Sequence, residues 1–524
     1  MKANVFARAI LLDAEKFLIE IGRGARDELV DRRGTIIYFL VLGIFTYFIF
    51  LSQFLLDNHA FRMPWLAENE QVQNGRWMGP VIGWIHYGAN VPVVMPMLSI
   101  SATILSTLIV IRIYNNNIKT SALLIFGSLI IVCPINLAFF YYGFMSPIFF
   151  FANAFACASA LLLSRLSLWR FVIAVAMIVF MFATYQAAVG VLAVLVLTGV
   201  IWRSCANEGT GRQADANIIS RVVVVWAPAL GALCATILGL TVYMLSIQYL
   251  PDNGKAIDIS DFGALANRVR QVSFVAFRHL LATQPDMLDA SKAAFGMLVV
   301  AAVMTSLVSA RTNLVSLFSL VVAWPLAVLA TKAIFFISDP GGIYQYRYNS
   351  GLIYFYAFCA LFTLERLPRG VVRKAMLALS LFVIIVSVQA DLVRQHVLLR
   401  GQQRDLATFN RILYRIESLE EFDPNQRYDL VRVGHLPRYR LQLLRSRGRD
   451  WDEIADGHMD YGEISDLWVD DHVFGLLGSA VKLTYGPTQT AQQIREEGLL
   501  EGRTPWPAPS SVFIDGDRIV IYIG

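Results

Sequence analysis

Residues 34–56 read GTIIYFLVLGIFTYFIFLSQFLL, twenty-three positions without one charge. A helix needs about 20 mostly apolar residues to cross the hydrocarbon of a bilayer, so this stretch decides the class of fold. Comparable runs follow at about 91–112, 120–140, 147–164, 170–184, 187–202, 222–248, 292–310, 313–337, 350–364 and 375–391. The expectation is an all-α polytopic membrane protein with about 11 transmembrane helices. Composition agrees with it. The chain has 524 residues, 56% hydrophobic and only 16% charged, and a mean hydropathy of +0.55. Several soluble domains of that composition lack the polar groups to cover their own surface. Abundant aromatic and β-branched residues exclude disorder. A net charge of +5 is too small to point to nucleic acid.

The runs 170–184 and 187–202 are short, and one overlong helix would also account for them. Their flanks, RLSLWR at 165–170 and WRSCANEGTGRQ at 202–213, both carry positive charge. Cytoplasmic loops collect Lys and Arg. Both flanks therefore face the cytoplasm, and the chain turns back at Thr184-Tyr185-Gln186. The same rule places 112–119, 203–221, Arg311 and 365–374 inside, and the N-terminus with them. Residues 1–33 read as a cytoplasmic interfacial amphipathic helix, with Leu11, Leu12, Leu18 and Ile19 towards lipid. They are no signal peptide, because Asp13, Glu15, Lys16 and Glu20 interrupt the apolar residues. An odd number of spans puts the C-terminus outside. Of the 83 charged residues, 36 lie in 392–524. That tail reads as a small α/β domain outside the cytoplasm, following a membrane domain over 34–391 with outer loops at 57–90, 249–291 and 338–349. Within the tail, RYDLVRVGHL looks like a strand and TAQQIREEGLL like a helix. SSVFIDGDRIVIYI looks like a hairpin on an Asp-Gly turn.

No nucleotide-binding loop is present. The five cysteines, four in spans and Cys205 in a cytoplasmic loop, form no disulfide or zinc pattern. The seven histidines all fall on the outer side without paired-ligand spacing, so no metal is assigned, although a divalent ion stays possible in principle.

Candidate chemistry is left to the outer loops. Loop 57–90 holds Asp57, Glu68, Glu70, Arg76 and Trp77 among other tryptophans. A carboxylate there is suited to deprotonate a hydroxyl, and an arginine to pair bidentately with a phosphate. A solvated loop with ordinary interface Trp and Arg is the plainer account of the same residues. Tyr185 and Gln186, at a turn below the membrane surface, suit hydrogen bonds to a sugar or a plain helix cap. In DPGGIYQYRYNSG, residues 339–351, Arg347 stands among Tyr344, Tyr346 and Tyr348, as phosphate ligand or as aromatic-belt anchor. In loop 249–291, the part ALANRVRQVSFVAFRHLL reads as an amphipathic helix on the membrane.

Taken in order, Asp57-Asn58, QNGRW at 73–77, Tyr185-Gln186, Arg347 in YQYRYNSG and the ending WPAPSSVFIDGDRIVIYI resemble the bacterial serotype-converting glucosyltransferase (Gtr) family, membrane glycosyltransferases of GT-C type. The chain departs from that pattern at Asn58, where a second acid is expected. The resemblance implies a polyprenyl-phosphate-linked sugar donor, usually glucose. Transfer would be to a cell-surface glycan such as O-antigen, on the periplasmic face of the bacterial inner membrane. It also implies two partners, a synthase that makes the donor and a small flippase. The donor's phosphate already leaves readily, so no soluble cofactor is needed. Asp57 is the expected base, with Glu68 and Glu70 in reserve. Arg76 and Arg347 are the expected phosphate ligands, and Trp77, Tyr185, Gln186 and Tyr346 the sugar or acceptor contacts. A lipid or polysaccharide transporter and a glycan polymerase or ligase stay open as alternatives. The scarcity of acids inside the spans speaks against a path across the whole membrane.

Overall fold

The computed structural model describes residues 31–53, 72, 74–85, 93–114, 118–140, 145–206, 218–248, 262–281, 289–311, 313–336, 348–434, 474, 477, 481–483 and 491–524. The expected N-terminal amphipathic helix thus lies outside the described residues, apart from its last three positions.

Helices dominate. In chain order they are α1 Arg33–Thr46, α2 Phe48–Ser52, α3 Met78–Trp84, α4 Val94–Tyr114, α5 Thr120–Ile131, α6 Leu137–Phe140, α7 Ser146–Leu163 and α8 Leu168–Thr184. Then come α9 Val189–Ala206, α10 Ile218–Ile247, α11 Phe262–Leu281, α12 Asp289–Ala310, α13 Leu314–Ala330, α14 Ser350–Arg366, α15 Val371–Glu417 and α16 Ala491–Glu496. Among the described residues seven helical segments are long and apolar enough to cross a membrane, and α1, α8 and α13 are shorter apolar helices. The chain is a membrane protein. Seven is fewer than the expected eleven: the runs 170–184 and 350–364 form helices of 17 residues, and the runs 34–56 and 313–337 are interrupted. The first run breaks at Tyr47, whose buried hydroxyl donates to the carbonyl of Ile131 at 2.6 Å. The run 313–337 ends as a helix at Ala330 and continues through Lys332 into a 3-10 turn, Ala333–Phe336.

α14 is the central helix, with every residue from Ser350 to Leu364 buried. Its glycine lets neighbours close in: a Cβ on Gly351 would stand 2.9 Å from the Gly190 carbonyl and 3.2 Å from the Thr331 backbone. α10 lies at the other extreme. Val223, Val224, Leu230, Leu233 and Ile237 are exposed along it, the pattern of a helix facing hydrocarbon. α11 is amphipathic, burying Val272, Val275, Ala276 and Leu280 while Arg270 and Arg278 stay exposed.

The bundle has two chemically distinct ends. At one, Lys119 pairs with Glu365 at 3.7 Å, Arg366 donates to the Cys205 carbonyl at 3.3 Å, and Arg373 donates to the Leu364 carbonyl at 2.9 Å. Cys205 itself is buried in the last turn of α9 rather than lying in a loop. At the other end the polar side chains described below converge.

α15 crosses the expected domain boundary at 391–392 without interruption, spanning 47 residues. The loss of hydropathy there is no helix stop, since 392–417 keeps helix-forming residues and holds no proline. Its last turns bury Phe409, Ile412, Leu413 and Ile416 against a mixed sheet. The strands are β1 Arg427–Val433, β2 Lys482–Leu483, β3 Val512–Asp515 and β4 Arg518–Tyr522, in the order β2-β1-β4-β3. β3 and β4 form the antiparallel hairpin, turning at Gly516 with φ 63°. β1 lies parallel to β4. The opposite face of the sheet packs Val431, Val433, Phe513 and Val520 with Ile494 of α16.

Candidate functional site

The site grows from the break between α8 and α9. Tyr185 leaves the helix with φ −158° and ψ 110°, and residues 186–188 make one 3-10 turn before α9 begins. No proline or glycine stands at 184–186, so local propensity does not force the break. Packing does. The Tyr185 ring, 2% exposed, meets Phe149 edge-on at 4.7 Å and lies parallel to Tyr348 at 6.3 Å. On Tyr185 the guanidinium of Arg76 stands 5.1 Å from the ring centre, within the range of a cation–π contact.

Gln186 is the hub. Its Oε1 accepts from Arg76 Nε at 3.3 Å, and its Nε2 donates to the Tyr243 hydroxyl at 2.9 Å and to the Asn74 carbonyl at 3.1 Å. Three segments far apart in sequence, 74–77, 185–186 and the end of α10, are thereby joined. Trp77 completes the joint. Its indole N–H donates to Ser246 Oγ at 3.1 Å, and its ring meets Phe180 edge-on at 6.2 Å. Arg76, Trp77 and Gln186 are only partly buried, so the cluster opens outward from the bundle. Beside it, Tyr348 meets Phe335 edge-on at 5.5 Å. At the next residue, buried Asn349 accepts through Oδ1 from buried Lys332.

Of the residues singled out in the sequence, Arg76, Trp77, Tyr185 and Gln186 are thus brought together. Asp57, Glu68, Glu70, Tyr346 and Arg347 lie outside the described residues, although Tyr348, next to Arg347, stands in the cluster. Tyr243, Ser246, Lys332 and Asn349 were missed. Lys332 had a signal, as the only charge in the apolar run 313–337, where an ionisable residue marks function by default. Tyr243 had none, since a tyrosine near a span end is ordinary. Among the described residues no group of three or more His, Cys, Asp or Glu comes together to hold a metal ion.

A partly open arginine beside tyrosine, tryptophan and glutamine can hold an anion and a polar ring at once. The family described as Glucosyl transferase GtrII matches residues 36–364 of the chain. The chain belongs to that family. The Glucosyl transferase GtrII match covers the joint at Arg76, Gln186 and Tyr243 as well as Lys332 and Asn349, and stops before α15 and the C-terminal sheet. A glycosyltransferase is therefore built on this bundle. No curated protein and no solved structure matches the chain.

Proposed function

We propose that this Glucosyl transferase GtrII member transfers a sugar, glucose by the family's description, from a polyprenyl-phosphate donor to a cell-surface glycan such as O-antigen. The observation that carries the reading is the Arg76–Gln186–Tyr185 joint, a cation and polar groups at the bundle end opposite the basic loops. By the positive-inside rule that end faces away from the cytoplasm. In a bacterium the enzyme then sits in the inner membrane with its site and its C-terminal sheet on the periplasmic side. A donor synthase and a small flippase would supply the lipid-linked sugar.

In the reaction a carboxylate takes the proton of the acceptor hydroxyl. Asp57 is the choice, with Glu68 and Glu70 in reserve. The hydroxyl oxygen forms a bond to the anomeric carbon while the bond from that carbon to the lipid phosphate breaks. The leaving polyprenyl phosphate carries the electron pair. Direct displacement inverts the anomeric centre. Negative charge grows on the phosphate, where Arg76 and Arg347 stabilise it. Trp77, Tyr185, Gln186 and Tyr346 hold the sugar or the acceptor.

The test is a transfer assay with purified protein, polyprenyl-phosphoglucose and O-antigen glycan, scored for released polyprenyl phosphate and modified glycan. Asp57→Asn should lower turnover by about 10²-fold or more while leaving membrane insertion unchanged. Wild-type protein that releases no lipid phosphate would overturn the donor, and normal turnover by Asp57→Asn would remove Asp57 as the base.

A further inference from the structure

α11 carries Arg268, Arg270 and Arg278, and no acid between Phe262 and Leu281. α10 leaves the basic segment 203–221 and α12 returns to Arg311, so α11, between them, lies at the opposite end of the bundle. Arginine is normally scarce on that side. Positions 270, 274, 277 and 278 share one face of a helix. On that face Phe274 is 65% exposed and Phe277 42%, and both arginines are exposed. Among the described residues no acid pairs with either arginine. Phenylalanine flanked by arginine suits the boundary of acyl chains and headgroups, where a ring enters hydrocarbon and a guanidinium meets phosphate. With Val272, Val275, Ala276 and Leu280 buried, α11 packs on α13 and on the turn Ala333–Phe336. That turn packs on residues 186–188, and Gln186 there accepts from Arg76. One short turn therefore links α11 to the joint at Arg76.

We propose that this face of α11 is a second lipid-phosphate site. Arg270 and Arg278 hold the phosphate of the polyprenyl donor before it passes to Arg76, and Phe274 and Phe277 lie against the first units of its chain. The proposal rests on the polyprenyl-phosphate reading above. A helix with three arginines and no acid leaves its charge to be met from outside, and the leaflet offers phosphate as donor or as bulk phospholipid. The place of α11 beside the turn Ala333–Phe336 favours the donor, since holding it there raises its effective concentration at Arg76.

The test is crosslinking of a photoreactive polyprenyl phosphate to the full chain in phosphatidylcholine nanodiscs, with the labelled peptide identified by mass spectrometry. Wild type should be labelled within 262–281. Unlabelled polyprenyl phosphate should suppress that labelling; polyprenol, or phosphatidylglycerol at the same mole fraction, should not. Arg270→Gln with Arg278→Gln should cut the labelling about tenfold, the scale of a lost charge-assisted pairing, and raise the apparent KM for the donor more than it lowers kcat. Lysine at both positions should keep most of the labelling. Arg369→Gln with Lys374→Gln, which removes two exposed charges at the basic end, should change nothing. Normal labelling and KM in the Arg270→Gln, Arg278→Gln chain would overturn the proposal. Suppression by phosphatidylglycerol would assign the face to bulk anionic lipid, and suppression by neither lipid would leave it to a protein partner; each overturns the proposal too. No labelling of 262–281 in a wild type that turns over the donor ends it while the donor reading stands. A wild type that releases no lipid phosphate ends the donor reading first, and this proposal with it.

Discussion

Arg76 reaches the tyrosine because the residue before it is a glycine. Gly75 has φ 74°, and a Cβ there would stand 2.5 Å from the Tyr243 hydroxyl. Only glycine takes that backbone conformation at little cost, and only glycine leaves the hydroxyl free to accept from Gln186 Nε2. The guanidinium then shares Gln186 with Tyr243, so its direction is fixed before any donor arrives. Arg76→Ala removes both the charge and the direction. It should weaken donor binding by about 10²-fold, the scale of one lost charge-assisted pairing of about 1.5–3 kcal/mol, while the thermal midpoint in detergent moves little. Lipid-phosphate titration checks this, and an unchanged apparent donor affinity would end the phosphate role of Arg76. At this scale the sequence was partly legible. Arg76, Trp77, Tyr185 and Gln186 stood out because polar groups are scarce in an apolar chain. Tyr243 and Asn349 did not, since nothing local separates a tyrosine in the site from one anchoring a span.

Among the elements, the helix ends matter more than the helix interiors. α8 stops at Thr184 without a breaker, held by Phe149, Tyr348 and Arg76 around the next residue. α13 stops at Ala330, and α14 begins at Ser350 against it. Gly351 sets the distance between them. Gly351→Ala would push a methyl into the Gly190 carbonyl and the Thr331 backbone. Neither can swing aside as a side chain would, so a cost of about 1–3 kcal/mol is expected. The midpoint of thermal unfolding should fall, and donor binding should weaken as the Lys332–Asn349 corner shifts. Gly296→Ala in α12 is the matched control, because its Cβ meets nothing within 4 Å; it should be neutral or slightly stabilising. Equal effects from the two substitutions would show that the close approach at Gly351 is unimportant. The apolar runs were legible as helices from length and composition. The break at Tyr185 was legible too, from the basic flanks on either side of its two short runs; those at Tyr47 and after Ala330 were not, and at Tyr47 the hydroxyl is held by the carbonyl of Ile131, far away in sequence.

Across the whole molecule, α15 is what links the two parts. It starts beside Arg373 at the basic end and runs on into the core beneath the sheet, where Phe409 and Ile412 are fully buried. If the basic end is cytoplasmic, a cysteine at exposed Arg369 should be closed to a membrane-impermeant maleimide in intact cells, and one at exposed Glu501 should be labelled. Arg369→Cys and Glu501→Cys, with the parent chain as blank, give the two readings. Labelling at 369 but not at 501 would invert the orientation and remove the periplasmic assignment of the site.

The sequence by itself determined that the chain is a helical membrane protein with basic loops on one side and a small α/β tail, and it marked the family through short motifs in order. Those properties follow from counting: the apolar run length a bilayer demands, the placement of lysine and arginine, and the alternation around an Asp-Gly turn. Only the tertiary structure decided that Arg76, Gln186 and Tyr243 share one joint, that α15 passes through the expected domain boundary, and that Lys332 lies buried on Asn349. The joint and the buried lysine depend on which helix ends meet, and that is fixed by close packing between segments 17 to 110 residues apart, which no local pattern encodes.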